Sequence, residues 1–253
     1  MKHLAPGLYP IVPLALLVVI WQLAAIASPL QFMFIGSPLR LVSSIPAYYS
    51  RDASILWVDL QVTMIEMFVG LVLGAGLGTV VGLAMALSRA IRETLRPIVI
   101  VFNSIPKVAL APLVIVWFGF GTTGKIVLVM LIAVVIFALN VSAAADQADP
   151  IWFDHVAAMG AKRLQQIVLV LLPATLPGIL TSLRQAIGNC FRMVVFAEFI
   201  GSSAGLGYAL VQYSNGLDFR GVLIVVGVLL AISLVLDEAA KAAESYTQRW
   251  RAA

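Results

Sequence analysis

The sequence predicts an all-α, polytopic membrane protein of about six transmembrane helices, with one polar cytoplasmic loop of short helices. Three observations carry this. Of 253 residues, 62% are hydrophobic and 11% are charged, with a mean hydropathy of +1.04, so polar surface is too scarce to coat a water-soluble globule. Six apolar runs of about 20 residues match the hydrocarbon thickness of a bilayer, centred on residues 10–29, 63–87, 97–118, 126–146, 175–200 and 220–238. Between the fourth and fifth runs lies DHVAAMGAKRLQQIVLVLLPATLP, Asp154 to Pro177, polar and partly basic. The chain divides into an amino-terminal helix, residues 1–36, and a main membrane domain, residues 37–253, without a soluble appendage.

The first run follows Lys2 and ends near Ala25-Ile26-Ala27, which resembles a signal cleavage site. Its apolar stretch is longer than a signal h-region, so it reads as a span. The second carries Gly70, Gly74, Gly78 and Gly82 at four-residue steps, continued by Ala86 and Ala90. One side of that helix is nearly bare backbone, which allows close helix approach in lipid. Packing within the chain, packing across a dimer axis and lining of a pathway all fit it.

The third run contains Asn103, Ile105-Pro106-Lys107 and Ala111-Pro112-Leu113, then Trp117 to Gly121. Its prolines break the hydrogen-bond ladder, and broken helices persist at membrane depth beside protein or a water-filled cavity. Residues 103–113 are therefore a candidate pathway wall or a plain kink. In the fifth run Gln185, Asn189 and Arg192 fall on one helical stripe, with Arg184 and Glu198 elsewhere on the wheel. With Lys107 and Glu66, the intramembrane groups number three basic and two acidic, and the surplus positive charge suits an anion. Arg184 can snorkel to the cytoplasmic end, and pairing of Arg192 with a glutamate is the structural alternative.

Between runs four and five, Asp149-Pro150 starts a helix well, because Asp caps free amides and Pro at the first helical position loses no bond. Gly160 stops it. Leu164, Ile167, Val168 and Leu171 then recur at helical spacing, with Lys162, Arg163, Gln165 and Gln166 between them, and Leu172-Pro173 closes the second short helix. Two helices hinged at a glycine form a rigid knob for another protein to grip.

An inside amino terminus places Lys2, Arg89, Arg92, Arg96, Lys162, Arg163, Lys241, Arg249 and Arg251 in the cytoplasm, against Arg40, Arg51, Lys125 and Arg220 outside. That follows the positive-inside tendency and puts both termini and the knob in the cytoplasm. The net charge of +4 reports topology and lipid headgroups, not nucleic acid. Cys190 stands alone in an apolar run, the only histidines are His3 and His155, and no GxxxxGK[ST] loop is present. No disulfide, metal centre, catalytic residue or ATP site is expected. Nor do two halves repeat, as they often do in secondary transporters.

The loop resembles the signature of binding-protein-dependent ABC transporter permeases: E-A-A, three residues, G, nine residues, I, one residue, L-P. Asp154, Gly160, Val170 and Leu172-Pro173 stand at the matching positions without a gap. His155 and Val156 replace the two alanines, with Ala157 and Ala158 following at once. Ala197-Glu198, then Gly205-Leu206-Gly207-Tyr208, then a last apolar helix ending near Trp250 are similar to the nitrate, sulfonate and taurine permeases. Glu66 stands where those proteins often carry an Arg.

The resemblance covers the chain from about Pro38 onward. It implies a multi-pass inner-membrane permease subunit that pairs with a second copy, sits on two cytosolic ATPases binding ATP and Mg, and receives a small anionic solute from a periplasmic or lipid-anchored binding protein. Alternating access would be driven through residues 149–173, with Asp154, Ala157, Ala158, Gly160, Ala161, Leu164, Leu172 and Pro173 as the coupling set. Asn103, Lys107, Gln185, Asn189, Arg192 and Glu198 are the candidate pathway. A secondary transporter or channel without an ATPase is the rival, and a purely structural subunit a third reading; the docking loop argues against both.

Overall fold

The computed structural model describes residues 11–27 and 36–248. Lys2, His3, Arg249, Trp250 and Arg251 lie outside the described residues, as does part of the first apolar run. The helices are α1 (Ile11–Ala27), α2 (Pro38–Leu87), α3 (Arg89–Ser104), α4 (Lys107–Phe118), α5 (Thr122–Asp146), α6 (Pro150–Ala158), α7 (Arg163–Gln166), α8 (Leu172–Ile200), α9 (Leu206–Asn215) and α10 (Phe219–Gln248).

Helix α2 departs from expectation. The second run was placed at 63–87 with an outer loop before it, yet one helix runs from Pro38, capped by the Ser37 hydroxyl, which accepts from the Arg40 amide. The reason is local chemistry: no glycine stands between Gly36 and Gly70, and Pro46 is the one interior proline. Hydropathy marks where lipid begins, not where a helix begins. The part fit to cross a membrane is Ala53–Leu87. Ser88 then closes α2 through its amide to Ala84 O and caps α3 by accepting from the Ile91 amide.

The glycine ladder packs inside the chain, against α5. A Cβ at Gly70 would sit 2.7 Å from Val129, at Gly74 2.5 Å from Ala133, at Gly78 2.6 Å from Val134 O, and at Gly82 2.8 Å from Val141. Such distances leave no room for any side chain. Residue numbers rise together along both helices, so α2 and α5 run parallel. The chain between them must therefore cross back through the molecule. It does so through α3 and α4, which meet at 100° around Ile105-Pro106. The third apolar run is one broken span.

Helix α8 runs antiparallel to α5. Gly178 abuts Ala144 and Asn140 at one end, and the Cys190 thiol reaches Val129 O further along. Met67, Leu128, Val129, Ala133, Phe137, Ala186, Cys190 and Val194 form the core shared by α2, α5 and α8. Among the described residues, four helices are long and apolar enough to cross a membrane, five if the bent α3–α4 pair is one span, against the six runs expected; α1 is a shorter apolar helix. Contacts define two ends of this bundle. Arg92 pairs with Asp146 at 2.7 Å, and Arg163 Nη2 donates to Leu87 O at 3.2 Å, at the end that carries the docking loop. Tyr48 donates to Asp218, and the Gly205 amide to Asp59, at the other.

Lys125 is not an exposed outer cation. It is 3% exposed and pairs with Glu66 at 2.6 Å. A loop assignment based on charge overlooked that a buried lysine is stable beside a buried carboxylate.

Replacing Gly78 by Leu forces a branched side chain against Val134 O and Phe137 Cβ, with an expected cost on the order of 1 to 3 kcal/mol. Thermal unfolding of the detergent-purified protein measures it, and Gly76→Leu, a position with open space beside it, is the control that leaves the midpoint unchanged.

Candidate functional site

The polar loop of residues 149–173, expected to dock another protein, is built from two caps and a glycine. Asp149 Oδ1 accepts from the Ile151 amide at 2.9 Å and starts α6 behind Pro150. At its far end Gly160 adopts φ +82 with open space where a Cβ would sit, so its glycine character serves backbone angle, not room. The Gly160 and Ala161 amides donate back to Ala157 O and Val156 O. Gln165 Oε1 then accepts from the Lys162 amide at 2.7 Å, capping α7.

Leu172-Pro173 does not end the second helix. From Arg163 the chain passes through a π-helical turn, Ile167–Leu171, directly into α8. The wider turn shifts the register, with the Leu172 amide donating to Ile167 O, so Pro173 falls where its missing amide and its ring are accommodated. Asp154, Ala157, Ala158, Gly160 and Leu164 are exposed, Ala161 and Leu172 half-buried, and Pro173 is exposed on the first turn of α8. Ile151, Trp152, Met159 and Leu164 are exposed around them, an apolar patch at the polar end of the bundle. Behind the loop lies a cleft of about 710 Å³, walled by Asn140, Gln147, Asp149, Trp152, Leu169, Pro173 and Thr181 among others.

At membrane depth a second, smaller cavity of about 270 Å³ is lined by Lys107, Val108, Ile132, Asn189, Arg192, Met193 and Phe196. Lys107 stands at the start of α4, where the break of the third run turns it inward, and its Nζ donates to Asn103 O at 3.2 Å. Arg192 Nη2 reaches Asn189 Oδ1 at 3.3 Å, Asn189 Nδ2 donates to Gln185 O, and Asn140 Nδ2 donates to Gln185 Oε1 at 3.0 Å. Five of the six candidate pathway residues thus fall into two hydrogen-bonded groups, Asn103–Lys107 and Gln185–Asn189–Arg192, which meet at this cavity through Lys107, Asn189 and Arg192. Two cations line the cavity, and no carboxylate does.

Glu198 stands apart. It is 1% exposed, and its carboxylate accepts from the Thr63 hydroxyl and the Gly207 amide, each at 2.7 Å. The alternative of an Arg192–Glu198 pair is not what the structure holds. Glu198 belongs to a buried polar cluster that sequence reasoning missed: Asp59 accepts from the Gly205 amide, Thr63 Oγ1 accepts from the Leu206 amide, and Lys125 bridges Glu66 and Ser202. The N-cap amide of Gly205 and the first two amides of α9 are therefore all satisfied by side chains of α2 and α8. Gly205-Leu206-Gly207 was the available signal. A Cβ at Gly205 would fall 2.2 Å from Glu198 Oε1, and one at Gly207 2.3 Å from Val195 O.

A helical bundle with several membrane-crossing helices, a capped polar loop at one end and a small cavity lined by Lys107 and Arg192 is the architecture of a membrane-embedded transport subunit. The chain belongs to the family of binding-protein-dependent transport system inner membrane components, whose model matches residues 74–245. It is 30% identical to a probable ABC transporter permease protein of Haemophilus influenzae, over 91% of this chain and 94% of that one. It is 28% identical to the taurine transport system permease protein TauC of Escherichia coli, over 94% and 87%. In fold it matches a chain of the MetNI methionine ABC transporter, solved in inward-facing conformations, with a TM-score of 0.63 at 22% identity over 76% of this chain and 97% of that one. The protein is a multi-pass inner-membrane permease subunit of an ABC importer family and not itself an enzyme, and its relatives include the taurine and sulfonate permeases.

Glu198→Ala leaves the buried Gly207 amide without this acceptor, which costs roughly 1 to 3 kcal/mol, while the Thr63 hydroxyl keeps Asp59 O at 3.0 Å. The expected outcome is a marked fall in thermal stability, with Glu198→Gln, which keeps one acceptor, falling less; both are read by unfolding in detergent.

Proposed function

We propose that this chain forms the translocation pathway of an ATP-driven importer for a small anionic solute, and that Lys107 and Arg192 receive the anion at membrane depth. The carrying observation is the 270 Å³ cavity, where both cations and Asn189 converge against Val108, Ile132, Met193 and Phe196. Charges at this depth are rare and tend to mark solute routes, and an apolar wall strengthens each charge that faces the solute. The similarity to a taurine permease supports a sulfonate-like or comparable anion.

Asn103, Gln185 and Arg192 are exposed on the single chain. Polar side chains cannot face hydrocarbon, so a second copy covers this face and the pathway lies between the two copies. The loop of residues 149–173 seats each copy on a cytosolic ATPase, which holds ATP and Mg, while a periplasmic or lipid-anchored binding protein delivers the solute at the opposite end. On this reading the docking-loop end, and with it both termini, is cytoplasmic. Closure of the ATPases moves the loops and switches the pathway's access.

Three outcomes follow. Arg192→Ala removes a charged donor, expected to raise KM for the anion about tenfold or more while the complex still assembles; uptake of taurine, alkanesulfonates and nitrate into proteoliposomes measures it. Gly160→Val strains the φ +82 turn, so the helices should insert while co-purification of the ATPase or coupled uptake fails. A Cys introduced at Gln165 should resist a membrane-impermeant thiol reagent in intact cells and react after permeabilisation. Uptake that follows an ion gradient without an ATPase would instead establish a secondary transporter.

A further inference from the structure

Helix α3 is 16 residues long and buries none of them. It is held by its ends. At the loop end, α2 terminates in carbonyls that lack helical donors, and two arginines take them. Arg92 Nε, one turn into α3, donates to Met85 O at 3.0 Å, while its Nη1 pairs with Asp146 at the end of α5 at 2.7 Å. Arg163, the first residue of α7 in the docking loop, donates to Leu87 O at 3.2 Å. Between them Ser88 closes α2 and caps α3. At its other end α3 stops at Ile105-Pro106, and Lys107 follows at once, tied back to Asn103 of α3 and lining the small cavity.

The structure assigns Arg163 and Arg92 as positioning residues, and α3 as a lever between the docking loop and the cavity. Arg163 reaches the α2 terminus from an exposed position, so displacement of the loop pulls on Leu87; the Arg92 clamp makes α3 follow, and α3 carries Lys107 with it. Between its ends α3 contributes no buried residue to the core, so its position is set chiefly by the Arg92 contacts to Met85 O and Asp146. A helix of 16 residues spans about 24 Å, enough to reach from the loop end to membrane depth. The cations also suit the carbonyl end of a helix electrostatically.

This inference rests on the reading that the loop docks an ATPase, and the experiment separates the two. The complete complex, with ATPase and binding protein in proteoliposomes, carries a Cys at Val108 on the cavity wall; the native Cys190 is fully buried. Labelling by N-ethylmaleimide is timed with and without ATP plus vanadate. The expected result is a nucleotide-dependent labelling rate in the otherwise unchanged chain. In Arg163→Ala and Arg92→Ala that dependence should shrink roughly tenfold, within the range that coupling residues reach, while the ATPase stays attached and keeps hydrolysing ATP. Arg163→Lys should restore part of the response. Arg92→Asp combined with Asp146→Arg should restore more than either change alone, which a merely destabilised helix would not do.

The proposal is overturned by an undiminished response in both alanine variants, or by a rate at Val108 that ignores nucleotide in the unchanged chain. Loss of the ATPase from Arg163→Ala also overturns it, since Arg163 would then belong to the ATPase contact. Failure of the ATPase to attach to the unsubstituted chain strikes the docking reading itself.

Discussion

Lipid offers no hydrophobic drive to hold two helices together, because their side chains are as comfortable against acyl tails as against one another. What joins α2 to α5 is closeness. Four glycines in register let the backbone of α2 rest on side chains and carbonyls of α5, and the dispersion contacts so gained are dense. Because the two helices are parallel, the rest of the topology is constrained. One crossing must separate them, and in it the chain bends by 100° between α3 and α4, while α2, α5 and α8 share one core.

The break in that crossing is what gives the cavity its charge. A straight third span would pass Lys107 along its flank; the 100° bend makes it the opening residue of α4. Arg192 reaches the same cavity from α8. Negative charge is meanwhile gathered elsewhere, in the buried cluster of Asp59, Glu66 and Glu198 with Lys125. Those carboxylates are occupied with backbone amides of α9, a hydroxyl and one lysine. The three buried carboxylates thus hold helices together, while Lys107 and Arg192 line the small cavity.

How much of this was legible in the sequence depends on whether the cause was local. The membrane class, the caps at Asp149 and Gly160, the close-packing glycines and the broken third span all follow from residue chemistry within a few positions. So does the stripe of Gln185, Asn189 and Arg192. Two of the misplacements, Lys125 and Glu198, have non-local causes. Lys125 looked like a loop cation because its partner Glu66 lies 59 positions earlier (125 − 66). Glu198 looked like a pathway residue because its true partners, Thr63 and Gly207, meet it only in the fold. Pro173 looked like a stop because a π-turn cannot be read from hydropathy, and α2 looked half its length because the helix continues where apolarity does not.

The parallel pairing of α2 with α5 also sets an order of events during synthesis. Gly74 and Met130 are 56 positions apart (130 − 74), and the crossing α3–α4 must be threaded before they can meet. An antiparallel hairpin could close as soon as its second helix emerged; this pair cannot. Its glycine face therefore waits in the membrane without a partner, and the contact of greatest consequence for the fold is among the later ones to form. Any delay in delivering α5 leaves a sticky, backbone-exposed surface on α2 open to wrong helices, so the same feature that makes the finished bundle tight makes the nascent chain dependent on the pace of insertion.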